Sequence, residues 1–174
     1  FYVLAIACAA GLATQSQAAD APLQVRIGYL GYRPDPGPLL SNVIPEPTDA
    51  GLRGAELAIT DSNSTGRFLN HSYSLESASV DSPVALLEAA KAQHQQGLRL
   101  FVVNAPAGSL RQLSAAMPDS LLFNAGSPDD SLRTTDCLPN VLHTLPSRAM
   151  LADALAQFLV VRKWQRALLI VGPT

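Results

Sequence analysis

Three stretches of this 174-residue chain carry residue types suited to holding a small polar molecule: Tyr32 to Pro47, Asn104 to Ser109 and Asn124 to Asp130. They offer serine hydroxyls, a side-chain amide, carboxylates, and glycines that let backbone N–H groups approach a ligand. The same stretches lack the spacing that bond-breaking chemistry needs. Asn124-Ala-Gly-Ser127 has no second glycine at the required place after the serine, so it does not form a G-x-S-x-G nucleophile elbow. Gly28-Tyr-Leu-Gly31 lacks G-x-G-x-x-G spacing and runs into a proline-rich loop, and no Gly-Lys-Ser/Thr phosphate loop occurs. His71, His94 and His143 are scattered, with no Cys or His at ligand spacing, which favours surface or hydrogen-bonded core roles over metal or base chemistry. Asp129-Asp130 could hold a cation or a ligand ammonium, but adjacent acids after Ser-Pro are more often a solvated turn or a helix cap. Cys137 has no activating motif and reads as inert or disulfide-bonded. The residues point to binding rather than catalysis, with no metal and no cofactor.

These loops need elements to position them. The first strand is Gln24 to Gly31, followed by a loop holding five of the chain's 13 prolines between Pro34 and Pro47. Thr48 then reads as a helix cap with Asp49 in the first turn, and Leu52, Ala55 and Ile59 mark one helical face, ended by Asn63 to Gly66. His71 to Val80 is a second strand. Ser82-Pro83 starts a helix that has Leu87 and Ala90 inside and stops at Gly97. Leu98 to Val103, apolar apart from Arg99, suits a central strand covered on both faces. Leu110, Leu113 and Met117 mark a third helix. Ser120 to Phe123 and Asn140 to Leu145 are further strands, Met150 to Val161 is a helix with Leu151, Leu155, Phe158 and Leu159 on one face, and Arg166 to Val171 is a sixth strand. Strands joined in this way by helical crossovers predict an α/β fold, a doubly wound parallel sheet. In such sheets ligands collect at the carboxyl ends of the strands, where the three stretches lie.

Composition narrows the function. With 12 Lys+Arg against 14 Asp+Glu, 15% charged residues and no basic run, the chain lacks the footprint of a nucleic-acid or anionic-membrane binder. Residues 2–14 are apolar, too short to span a bilayer, and followed by Ser16 and Ala18 at the small-residue positions of a cleavage site. Residues 1–18 are therefore expected to be a signal-peptide remnant, with the mature protein beginning near Ala19 in the periplasm. Cys8 is a poor lipid-anchor site, because Ala5 stands where a lipobox has Leu and the apolar run continues beyond the cysteine. Its removal leaves Cys137 alone, either bridged to a segment outside this sequence or buried as a plain thiol.

The opening strand Ile27-Gly-Tyr-Leu-Gly31, Gly51-Leu-Arg-Gly-Ala-Glu-Leu-Ala-Ile59, the strand-loops Val102 to Ser109 and Leu121 to Leu132, and Arg166-Ala-Leu-Leu-Ile-Val-Gly172 together resemble the type I periplasmic binding proteins. Within them, the chain looks like the branched-chain amino acid and amide-binding branch of ABC-transporter substrate-binding proteins. Cys137 to Met150 adds a resemblance to the subgroup associated with PQQ-dependent alcohol oxidation. The resemblance implies two lobes closing on a small polar ligand, such as an amino acid or amide. Residues 19–146 would form most of lobe one, the hinge would fall at Thr144, Leu145 and Pro146, and 147–174 would begin lobe two, making the sequence a fragment. The implied lobe-one contacts are Tyr32, Asn104, Gly108, Ser109, Gly126, Ser127 and Asp129. Pro128 departs from the pattern, standing where a hydroxyl residue is expected and removing a backbone donor, which points to a less charged ligand than a free amino acid. The implied role is the solute-binding component of an ABC importer, monomeric at full length and presented to permease subunits; the alternative is a periplasmic sensor of the same fold.

Overall fold

The computed structural model describes residues 21–38, 44, 47–168 and 170. The expected signal segment 1–18, with Cys8, lies outside them. The described elements are β1 (Leu23–Tyr32), α1 (Leu52–Gly66), β2 (His71–Val80), α2 (Pro83–Gln95), β3 (Leu100–Asn104), α3 (Ala107–Ala116), β4 (Leu121–Asn124), a short 3-10 helix (Asp130–Arg133), β5 (Val141–His143) and α4 (Arg148–Val161). The five strands form one parallel sheet in the order β2-β1-β3-β4-β5. The chain steps outward from β1 to β2 and then returns past β1 to β3. That reversal opens a crevice between the carboxyl ends of β1 and β3.

Local sequence explains most boundaries. Ser82 caps α2 by accepting the Ala85 N–H at 3.2 Å, Pro83 occupies the first turn, and Gly97 follows at φ +93. The α1 face predicted from Leu52, Ala55 and Ile59 is the half-buried one, and it continues through Asn63 to buried Gly66. Its start differs from expectation. Gly51, not Thr48, is the N-cap, and Asp49 instead pairs with Arg53 at 2.7 Å. Gly51 sits at φ +83, and a Cβ there would meet Asn104 Nδ2 at 2.7 Å and the Tyr29 hydroxyl at 2.9 Å, so close packing against the sheet top selects the glycine.

The core lies mainly on the α2 and α3 side, where Leu30, Leu86, Ala90, Leu98, Phe101, Val103, Leu110, Leu113, Met117 and Leu122 are buried. β3 is covered less evenly than its apolar sequence predicts. Phe101 and Val103 are fully buried, whereas Leu100 and Val102 on the opposite face are only half-buried, because α1 packs over β1 and β2 and no other described helix covers β3 there. The sixth strand also differs: among the described residues, 166–168 and 170 pair with nothing, since a strand exists only against a hydrogen-bonding neighbour. Helix α4 forms as expected, two residues earlier, with Ser147 as its cap. Its predicted apolar face is exposed, at 55% for Leu151, 58% for Leu155 and 51% for Phe158, so the helix is amphipathic toward nothing described. Phe158 instead stacks edge-on with Trp164, and Arg162 lies over both rings. Among the described residues no helix is long and apolar enough to cross a membrane.

Candidate functional site

A cleft of about 1400 Å³ opens at the carboxyl ends of β1, β3 and β4. Its walls include Tyr32 and Arg33 after β1, Asp81 after β2, Asn104 to Gly108 at the β3–α3 junction, and Gly126 to Asp129 after β4. Of the seven residues expected to contact ligand, Tyr32, Asn104, Gly108, Gly126, Ser127 and Asp129 line this cleft together. Ser109 does not line it. It is buried at 6% exposure in the first turn of α3, so its hydroxyl belongs to the packing of that helix.

The start of α3 supplies hydrogen-bond donors. Pro106 occupies the N-cap with no side-chain cap, and the first intrahelical bond runs from Leu110 N–H to Pro106 O. The N–H groups of Ala107, Gly108 and Ser109 therefore have no partner within the helix, and the dipole favours an acceptor or anion at this end. Gly108 leaves the approach open, since a Cβ there would meet nothing within 4 Å.

The loop after β4 behaves differently, because Asn124 consumes its donors. The Asn124 side chain is completely buried, and its Oδ1 accepts the N–H groups of Gly126 at 3.3 Å and Ser127 at 2.9 Å. Its Nδ2 donates to Ser127 O at 2.8 Å and to His143 Nδ1 at 2.9 Å. Thr144 closes the arrangement, giving its N–H and hydroxyl to Asn124 O at 3.1 and 2.9 Å. With Pro128 lacking an N–H, the amide donors of residues 126–128 are all accounted for inside the protein. Sequence reasoning placed Asn124 at a strand end but missed this role; an amide beside Gly-Ser at the end of an apolar strand is the only signal it leaves.

The acids and cations at the rim are mutually held. Asp129 caps the 3-10 helix, accepting the Ser131 N–H at 3.0 Å, and that bond holds its carboxyl below the usual carboxylate range. This is the cap role. Asp130 is also held low, by the Ser147 hydroxyl and the Ala149 N–H at the start of α4. Arg111 is tied to Ser131 and Asp136, each at 2.7 Å, while Arg148 lines the cleft beside both acids. Asp81, Arg111 and Arg148 were not expected; each lies outside the three loops the strand ends mark. Cys137 is an exposed free thiol, not buried. His71 contacts Tyr73, and His94 pairs with Asp119 at 2.8 Å.

His143 ties the site to pH. Burial lowers its pKa from 6.5, and the Arg133 guanidinium adds to the effect. Because the Gly126 and Ser127 N–H groups orient the Asn124 amide, Nδ2 faces His143 Nδ1 and requires its lone pair. A lowered histidine pKa stabilises the fold fully above the unfolded value near 6.5, and that contribution is lost as pH falls toward the folded value. The melting temperature should therefore drop between pH 7.5 and about 5.5, and His143→Gln should flatten that drop relative to the parent when both are followed by circular dichroism.

No family model matches the chain, and no curated protein matches it in sequence. Solved structures do match. An ABC transporter substrate-binding protein from Desulfitobacterium hafniense superposes with a TM-score of 0.57 at 17% identity, over 81% of this chain and 39% of its own. A complex of such a protein from that organism with Leu gives 0.57 at 16% identity, again over 81% and 39%. The closed leucine-, isoleucine-, valine-, threonine- and alanine-binding protein from Brucella ovis gives 0.60 at 17% identity, over 82% of this chain and 37% of its own. The chain has their fold. It spans under two-fifths of their length.

Proposed function

We propose that this chain is part of an extracytoplasmic solute-binding component of an ABC importer, contributing one wall of a ligand cleft. The observation that carries the reading is the cleft itself, at the carboxyl ends of β1, β3 and β4 in a fold shared with substrate-binding proteins. In this reading residues 19–146 form lobe one, Thr144 to Pro146 the hinge, and α4 the first helix of lobe two. In this reading the Thr144 bonds to Asn124 O and the Arg133 bond to Leu145 O anchor the lobe-one side of the crossing. Ligand would bias an open–closed equilibrium, and the closed form would meet membrane permease subunits after export to the periplasm.

The donor pattern shapes the ligand. The α3 start offers free N–H groups, while the β4 loop offers none from residues 126–128. This wall suits one acceptor-rich group on a small polar molecule, such as a carboxylate or amide. The association with PQQ-dependent alcohol oxidation rests on residues 137–150 alone. Several of those residues have structural work: Asn140 bonds Ser114, Met117 and Ser120, and Ser147 caps α4.

A thermal-shift screen of the full-length protein against amino acids, amides and small carboxylic acids tests the reading. A ligand at about 100 times its Kd should add about 2.7 kcal/mol of stability. Gly108→Phe should abolish that shift while leaving the unliganded melting temperature within a few degrees, because the new ring enters open cleft space. Undiminished binding by this variant would remove the cleft from the proposal.

A further inference from the structure

Strand β2 is the outer strand of the sheet, paired on one side with β1 along its whole length. Leu23 N–H bonds Asn70 O and Arg33 N–H bonds Val80 O, so the backbone groups of the even-numbered β2 residues turn toward β1. Those of Tyr73, Leu75, Ser77 and Ser79 turn outward. Helix α1 closes the first part of this edge. Asn63 accepts the Tyr73 N–H and donates to Tyr73 O, both at 2.8 Å, so its side-chain amide imitates a neighbouring strand. Gly66 presses against His71 O, where a Cβ would come within 2.8 Å. Among the described residues none bonds the outward groups of Leu75, Ser77 and Ser79.

Exposed edges are ordinarily blunted by lysine, proline or a bulge. This one carries none of these, and its single charge, Glu76, is held by Arg26 at 2.9 Å. We propose that Leu75 to Ser79 pairs antiparallel with the same segment of a second copy of the chain, about a twofold axis at Ser77. That register sets Ser77 opposite Ser77, Leu75 opposite Ser79 and Glu76 opposite Ala78, so no like charges meet. The outward groups then form about six main-chain hydrogen bonds, and Asn63 ends the ladder at either side. Val84, 68% exposed, follows the carboxyl end of β2, and Phe68 and Leu69, 88% and 59% exposed, precede its start, so the antiparallel axis turns the apolar residues at one end of a copy toward those at the opposite end of the other. A dimer departs from the monomer expected from the sequence.

Sedimentation velocity on the full-length protein across about 1 to 100 μM should show a monomer–dimer equilibrium. Ser77→Lys, which sets two ammonium groups directly opposite each other, should weaken dimerisation at least about tenfold with an unchanged circular dichroism spectrum. With Cys8 and Cys137 both changed to Ser, Ser77→Cys should oxidise to a disulfide-linked dimer, since directly opposed strand residues lie within disulfide reach. Gln112→Cys, exposed on α3 away from this edge, should stay uncrosslinked in that background. A monomer at all concentrations, or a dimer indifferent to Ser77→Lys, would overturn the proposal.

Discussion

Asn124→Ala should destabilise the protein by about 3 kcal/mol or more, because several buried polar groups would be left without partners at once. The four hydrogen bonds of the side chain engage Gly126 N–H, Ser127 N–H, Ser127 O and His143 Nδ1 inside a site with no solvent exposure at Asn124. Urea denaturation of the full-length variant measures the loss. Asn124→Asp separates hydrogen bonding from volume. Its carboxylate keeps one acceptor for the two N–H groups but turns the other toward Ser127 O and His143 Nδ1. Protonating His143 turns the histidine half of that conflict into an ion pair and leaves the half with Ser127 O, so the deficit of Asn124→Asp relative to the parent should be larger at pH 8 than at pH 5.5. An equal deficit at both values would mean that His143 does not take part.

Gly126→Ala should cost about 1–3 kcal/mol through overpacking. A Cβ at this position would lie 2.5 Å from Ala105 N, 2.6 Å from Asn104 Oδ1 and 2.8 Å from Asn104 C. Two of these atoms are backbone, so the loop after β4 must move away from the end of β3 rather than a side chain rotating aside. Because both loops line the cleft, ligand affinity should fall at least about tenfold along with stability, measured by isothermal titration against whichever compound the thermal screen identifies. Gly108, which faces the same cleft, tolerates a side chain sterically. The two glycines therefore separate the effects: one loses stability and binding together, the other binding alone.

The parallel α/β plan was legible because its signals are local. Ser82-Pro83 and Gly97 bound α2, the Leu52, Ala55, Ile59 period marks the inner face of α1, and the crossover order forces parallel pairing. The cleft was legible for the same reason, since ligands gather at strand carboxyl ends and six of the seven expected residues do meet there. What failed depended on neighbours. Thr48 has good cap chemistry, yet Gly51 takes the cap because only a residue without a Cβ fits beside Tyr29 and Asn104. Arg166 to Val171 has strand composition, yet its described residues have no edge to pair with.

Sequence alone thus determined the order of the five paired strands with their intervening helices and the parallel sheet type, because propensity, capping and crossover geometry act over a few residues. Tertiary structure alone decided which donors remain for a ligand. Asn124, His143 and Thr144 converge from separate strand ends to consume the β4 loop's hydrogen bonds, while the start of α3 keeps its own. A donor's availability depends on what lies within about 3 Å of it, and that distance is set by packing between segments far apart in the chain.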